Sequence, residues 1–161
     1  MERVSKENYY LDIAATVAER STCLRRKFGA IIVKNDVIVS TGYNGAPRGR
    51  KNCTDLLFCY REKLGIPRGE RYELCRSVHA EQNAIIAAPR EQMLGATMYI
   101  ACVTPDGELL GGTNSCMMCK RTILNAGIAT VVVRDTPTVY RVIPVADWIE
   151  DDDSLSGKFG Y

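Results

Sequence analysis

The chain reads as an α/β protein with one mixed β-sheet and helices on its faces. Three observations predict this. Apolar spacing switches between helical and extended periods, in the order helix, strand, strand, helix, strand, helix, strand. The length, 161 residues, suits one domain with a real core and is short for two. The composition is that of a globular protein, 46% hydrophobic and 25% charged, with no internal repeat and no interdomain linker.

The elements follow in order. Residues 6–20 place Tyr10, Ile13, Ala14, Val17 and Ala18 at helical spacing behind Ser5, a suitable N-cap. Gly29 to Lys34 reads as a buried strand, Asn35-Asp36 as its turn, and Val37 to Thr41 as its hairpin partner. Gly42-Tyr43-Asn44-Gly45-Ala46-Pro47 closes that strand in a loop. Residues 45–78 are polar, cysteine-bearing and weakly periodic, long for a connection, and so read as a functional or metal-held insertion. Residues 79–88 are helical up to Pro89. Thr97 to Val103 is a strand, and Pro105-Asp106-Gly107 a turn that leads a small hairpin to Leu110. Cys116 to Ala126 is a helix with Gly127 at its C′ position. Ile128 to Arg134 is a strand, Val139 to Val145 a short edge strand, and Ala146 to Glu150 the start of a terminal helix. The tail at about 151–161 reads as flexible.

Bulk properties exclude several classes. A net charge of +2 makes no global case for nucleic acid or membrane binding. No run of about 18 apolar residues is present to span a bilayer. The polar start, Met1 to Lys6, lacks the apolar stretch of a secretory signal, so a cytoplasmic location is expected.

Seven cysteines in such a chain, an odd number, argue against a disulfide framework and for metal binding. Cys116 and Cys119 share one face at the start of a helix, where the helix N-terminus favours thiolates. His79, the single histidine, opens another helix. One imidazole and two thiolates make a three-ligand zinc set with a fourth position open to water, the pattern of a catalytic site. Glu81, two residues beyond His79, is placed to move protons at that water without ligating the metal. A metal that activates water beside a free carboxylate is a hydrolytic site.

His79-Ala80-Glu81 followed by Cys116-x-x-Cys119 resembles the H-x-E…P-C-x-x-C signature of the zinc deaminases. Arg20-Ser21-Thr22-Cys23-Leu24-Arg25-Arg26, Gly29 to Val33, Gly42-Tyr43-Asn44-Gly45, His79 to Ile85, Gly95 to Tyr99 and Asn125 to Ile128 look like deoxycytidylate (dCMP) deaminases. The resemblance covers roughly residues 5–135. It implies a three-layer α/β/α cytidine-deaminase-like fold around a mixed central sheet of about five strands. It also implies hydrolysis of the C4–N bond of dCMP to give dUMP and ammonia, in pyrimidine deoxynucleotide metabolism. Glu81 would carry the protons, and zinc would sit on His79, Cys116 and Cys119. The backbone of Ala80 and the side chain of Asn44 would contact the substrate, and Arg25 and Arg26 would meet a phosphate of the substrate or of an effector. Cys23, Cys53, Cys59 and Cys75 would hold a second, structural zinc. A homo-oligomer, hexameric by resemblance, activated by dCTP and inhibited by dTTP, completes the expectation.

The chain departs from that pattern twice. Ser115 stands where the signature has proline, and the run from Pro105 to Gly112 lengthens the approach to Cys116. Two other functions stay open on the residues: deamination of another nucleoside, nucleotide or base on the same fold, and a non-catalytic zinc-stabilised binding module. Against the latter stands Glu81, for which a purely structural site has no use. Cys102 reads as core, Met117 and Met118 as packing, and Tyr140 as packing or a cap on the pyrimidine. The run Arg48, Arg50, Lys51 is a solvated loop or an anion site.

Overall fold

The computed structural model describes residues 1–157. Helix α1 (Lys6–Ala18) starts at Ser5, whose side chain accepts from Asn8 N–H, and stops two residues short of the expected end. Strands β1 (Lys27–Lys34) and β2 (Val37–Tyr43) form the predicted hairpin. Both turn residues, Asn35 and Asp36, take positive φ, as a tight hairpin requires. After the insertion come α4 (Ala80–Ile86), the single turn α5 (Arg90–Met93) and β3 (Thr97–Val103). Helix α6 (Met117–Ala126) ends on Gly127 in the left-handed conformation. It leads into β4 (Thr130–Arg134), which starts two residues later than expected, then β5 (Tyr140–Pro144) and α7 (Asp147–Glu150).

The sheet order is β2-β1-β3-β4-β5. Only β3 and β4 run parallel, because α6 carries the chain across between them. Strand β5 lies at the edge, as its sequence suggested. Successive residues of the central strands point to opposite faces and build two cores. Ile31, Val33, Tyr99, Ala101 and Val132 pack under Tyr10, Leu11 and Ala14 of α1. Ala30, Ile32, Met98, Ile100, Val131 and Val133 pack with Ala80 and Ala84 of α4 and with Ile123 and Ala126 of α6. This is the expected three-layer α/β/α arrangement of five strands. Two glycines let helices come down onto the sheet: Gly29 faces the α1 backbone at Ala14 and Ala18, and Gly42 faces the α4 backbone at Ala80 and Ala84.

The insertion contains two short helices, α2 (Cys53–Leu56) and α3 (Tyr60–Lys63), and a 3-10 turn at Tyr72–Leu74. It rejoins the sheet through paired hydrogen bonds between Gly45 and Val78, 3.1 and 2.7 Å. The small hairpin expected after β3 forms: Thr104 N–H donates to Glu108 O at 2.7 Å and Leu110 N–H to Cys102 O at 2.8 Å, with a bridge between Val103 and Leu109. The lengthened run then lies against the β4–β5 turn. Asp135 accepts from Gly112 N–H at 2.9 Å, and Arg141 bonds both Asp135 and Thr113 O. In the tail, residues 151–157 are exposed, with a 3-10 turn at Asp153–Leu155 and Asp153 3.3 Å from Lys120. The rest of that expected flexible segment, 158–161, lies outside the described residues. No helix among the described residues is long and apolar enough to cross a membrane.

Candidate active site

Two helix starts build the site. His79 is the N-cap of α4 rather than its first residue, with its backbone N–H held by Gln82 Oε1 at 3.0 Å. Cys116 is the N-cap of α6, and its sulfur accepts from Cys119 N–H at 3.4 Å. Since α4 and α6 lie side by side on one face of the sheet, their N-termini bring the three side chains together. His79 Nδ1 is 3.5 Å from Cys116 Sγ and 3.3 Å from Cys119 Sγ. All three ligand atoms fall within 4.8 Å of one another, the single such group among the described residues. A tetrahedral zinc bonded at about 2.0 Å to nitrogen and about 2.3 Å to sulfur puts N···S edges at about 3.5 Å. The donor set therefore fits zinc in both chemistry and spacing.

The three ligand groups perturb one another strongly. The Cys119 thiol first, and then His79, hold Cys116 at about 4 despite its burial. Cys119 is pushed up by Cys116 and by burial. Burial opposes a charged imidazole at His79, but Cys116 and Cys75 raise it to about 10. Glu81, in the first turn of α4 and 5% exposed, has its carboxyl pushed up by burial, with His79 pulling the other way. A carboxyl so placed holds a proton more readily than one in water, which suits a group that must take one and give it back.

Ala80, Asn44, Arg25 and Arg26 are among the residues that line the pocket around this centre. Ala80 is the first residue of α4, where a backbone N–H has no intrahelical partner. The Asn44 side chain is engaged within the protein. Its Oδ1 accepts from Ser21 Oγ at 2.6 Å and Phe28 N–H at 2.8 Å, and its Nδ2 donates to Arg26 O at 2.9 Å. Arg25 pairs with Glu62 at 2.6 Å, which ties the chain before β1 to α3. Arg26 Nη1 is buried without a hydrogen-bond partner.

The remaining thiols divide. Cys102 is core, fully buried, and pushed up to about 12 by that burial. Cys23, Cys59 and Cys75 line the pocket, and Cys53 lies buried close enough to them that their charges, after burial, help to raise its thiol. Burial pushes Cys75 up, but its hydrogen bond with His79 holds it below the usual thiol value. These four sulfurs surround the insertion side of the pocket without forming a second group as tight as the first.

Of the other residues weighed, Tyr140 packs in the α1-side core, away from the pocket, so it does not cap the pyrimidine. Arg48, Arg50 and Lys51 are exposed and outside the pocket. Phe28, Arg61, Arg68, Tyr72, Ser77 and Asn114 line it and were not singled out from sequence. The available signal was weak: arginines seven apart in an aperiodic segment. Ser115, directly before Cys116, is 1% exposed, and its hydroxyl faces the Glu81 carboxyl, where it works against the upward push of burial.

A family model described as the cytidine and deoxycytidylate deaminase zinc-binding region matches residues 4–135. The deoxycytidylate deaminase of Mycobacterium phage D29 is 36% identical over 137 residues, covering 82% of this chain and 96% of the phage protein. The deoxycytidylate deaminase of Schizosaccharomyces pombe is 33% identical over 130 residues, and the match spans 81% of this chain but 37% of that protein. Among solved structures, the dCMP deaminase of cyanophage S-TIM5 in complex with dCMP and dUMP is 25% identical with a TM-score of 0.57, covering 84% of this chain and 85% of that one. A chain that joins one imidazole and two thiolates beside a buried glutamate, and matches the family model across most of its length, belongs to the zinc-dependent cytidine and deoxycytidylate deaminase family.

Proposed function

We propose that this chain hydrolyses dCMP to dUMP and ammonia. The observation that carries the reading is the buried Glu81, outside the His79, Cys116 and Cys119 donor set but beside it, on a fold similar to one solved with dCMP and dUMP. Zinc held by these three residues supplies the Lewis acidity that makes water a nucleophile near neutral pH. Glu81 accepts a proton from the attacking water and passes it to N3 of the cytosine ring as the new C4–O bond forms. It then takes the proton remaining on that oxygen and delivers it to the amine as the C4–N bond breaks. Atoms balance: one water enters, ammonia leaves, and C4 carries a carbonyl. The first-turn N–H of Ala80, without an intrahelical partner, is available to hold the ring, and the N-termini of α4 and α6 both meet at the site, where their dipoles favour negative charge.

Ammonia release from dCMP, deoxycytidine and CMP by the zinc-loaded protein tests the proposal. Turnover of dCMP well above the other two supports it, and no turnover of any of them refutes it.

The same reading includes a second zinc at Cys23, Cys53, Cys59 and Cys75. Native mass spectrometry should count two zinc ions per chain, and one alone rejects it. It further includes a single domain over 1–161, a cytoplasmic setting, and a hexamer of identical chains with dCTP as activator and dTTP as inhibitor. Sedimentation with and without each triphosphate tests the assembly.

A further inference from the structure

Ser115 stands where the zinc deaminase signature has proline. Proline brings neither an N–H nor a side-chain donor, and serine brings both. The Ser115 N–H donates to Asn114 Oδ1 at 2.8 Å. The hydroxyl is sealed from solvent and faces the Glu81 carboxyl, itself buried. Among the described residues no other group engages that hydroxyl. A buried hydroxyl needs an acceptor, and an ionised carboxylate is the strongest kind a protein offers.

The backbone on both sides of Ser115 is held. Before it, Gly112 N–H donates to Asp135 Oδ1 at 2.9 Å, and Arg141 bonds Thr113 O while pairing with Asp135 at 2.8 Å. Thr113 is as buried as Ser115. After it, Cys116 caps α6 and lies 3.5 Å from His79 Nδ1. Ser115 is thus fixed between the β4–β5 turn and the helix that carries two of the metal-binding side chains. Glu81 rides on the other helix, α4, two residues beyond His79. One hydroxyl therefore spans the join between the two helix starts and meets the group that moves protons. The lengthened run from Pro105 does what the proline ring would do, fixing the approach to Cys116, and adds a donor that the ring lacks.

Resting on the deaminase reading above, we infer that Ser115 is a positioning residue for the proton transfers: its hydroxyl donates to one oxygen of the Glu81 carboxylate and leaves the other free to carry the proton between water, N3 and the amine. No proton passes through Ser115 itself. The bond is strongest when Glu81 is ionised, which is the state that meets the attacking water. Its value lies in orientation, because a misplacement near 1 Å at a reacting group costs about 100-fold in rate.

Two measurements on the zinc-loaded protein test this. The first is steady-state turnover of dCMP. Ser115→Ala should lower kcat about 10- to 100-fold, the range for one hydrogen bond to a charged group, with KM within about twofold and zinc content unchanged. Ser115→Pro restores the ring of the signature without a hydroxyl and should lose at least as much. Thr113→Val removes an equally buried hydroxyl from the same run, outside the pocket, and should leave kcat within about twofold. The second is NMR of the side-chain carboxyl carbons in glutamate-labelled protein, which needs no turnover. The Glu81 resonance, identified by its absence in Glu81→Gln, should move in Ser115→Ala more than that of any other glutamate, and should stay in place in Thr113→Val. If it moves so but the wild-type protein deaminates no cytosine nucleotide, the deaminase reading fails while the Ser115–Glu81 contact stands. An unmoved resonance or unchanged kcat in Ser115→Ala, a loss confined to KM, an equal loss in Thr113→Val, or full activity in Ser115→Pro overturns the inference. Should Ser115→Pro fail to fold, Ser115→Ala and the resonance decide the outcome.

Discussion

Replacing Gly42 by alanine should separate the position of the catalytic helix from the stability of the sheet. A Cβ on Gly42 would lie 2.9 Å from Asn83 C and closer still to Ala80 O and Ala84 N, where ordinary contacts begin at 3.4 Å. All three belong to α4 backbone, so no side chain can swing aside, and the helix must retreat from β2 by about 1 Å to restore ordinary contact with Ala80 O and Ala84 N. Overpacking of this kind costs about 1–3 kcal/mol. For a chain of this length that lowers Tm by about 2–12 °C. The same shift carries His79 and Glu81 away from Cys116 and Cys119, which ride on α6. Displacements near 1 Å cost about 100-fold in rate, so a loss of about 10- to 100-fold in kcat/KM is expected from folded protein. Gly29→Ala is the control. Its Cβ would lie 2.6 Å from Ala18 N and 3.0 Å from Ala14 C, but α1 carries no site residue. It should lose as much Tm or more and far less activity per folded molecule. The assay pairs thermal denaturation with steady-state kinetics and zinc content. Activity within twofold of wild type in Gly42→Ala, or equal activity losses in both variants, would refute the argument that the Gly42 contact sets the catalytic geometry.

Three further outcomes are expected. Glu81→Gln should lower kcat by about 100- to 10,000-fold, the usual contribution of a general acid–base, with zinc content by atomic absorption unchanged; loss of zinc would make Glu81 a ligand instead. Chelation should abolish activity and lower Tm. Removing a ligand present at 100 times its Kd withdraws about 2.7 kcal/mol, or about 5–11 °C here; an unchanged melting curve would deny the site any role in stability. Asp135→Asn should loosen the 104–115 run. The Arg141 guanidinium first, then the Gly112 N–H, hold the Asp135 carboxyl below its usual value of 3.8. With the folded value depressed, its stabilisation is fully present above the usual Asp value and fades as pH falls through the folded one. The Tm difference between variant and wild type should therefore be seen at pH 7 and shrink in acid, and a difference that grows in acid would contradict the pairing.

Much of the architecture was legible because its signals are local. The alternation of Ile31 with Ile32, and of Met98 with Tyr99, feeds two different cores, so the period-two pattern marks a strand buried on both faces. The left-handed Gly127 and the N-cap Ser5 mark helix ends by chemistry confined to one turn. Boundaries slipped where capping intervened. Periodicity puts His79 and Cys116 inside helices, whereas each stands just before one, because an N-cap residue keeps extended backbone while its successors are already helical. The one-turn α5 and the short helices of the insertion are too brief for periodicity to register.

The chain's residues alone determined which atoms do the chemistry: one imidazole, two thiols three apart and a carboxylate two beyond the histidine are a hydrolytic zinc set wherever the fold brings them together. The tertiary structure decided what surrounds that set. Asn44 turned out to be bound to Ser21, Phe28 and Arg26, and Tyr140 to face the other core. Arg61, unremarkable in a polar segment, became a buried clamp on the turn that bears Arg68. Ligand type is written in side-chain chemistry and short spacing. Which carbonyls a guanidinium meets, and whether it lies buried, depends on contacts between segments that spacing along the chain does not encode.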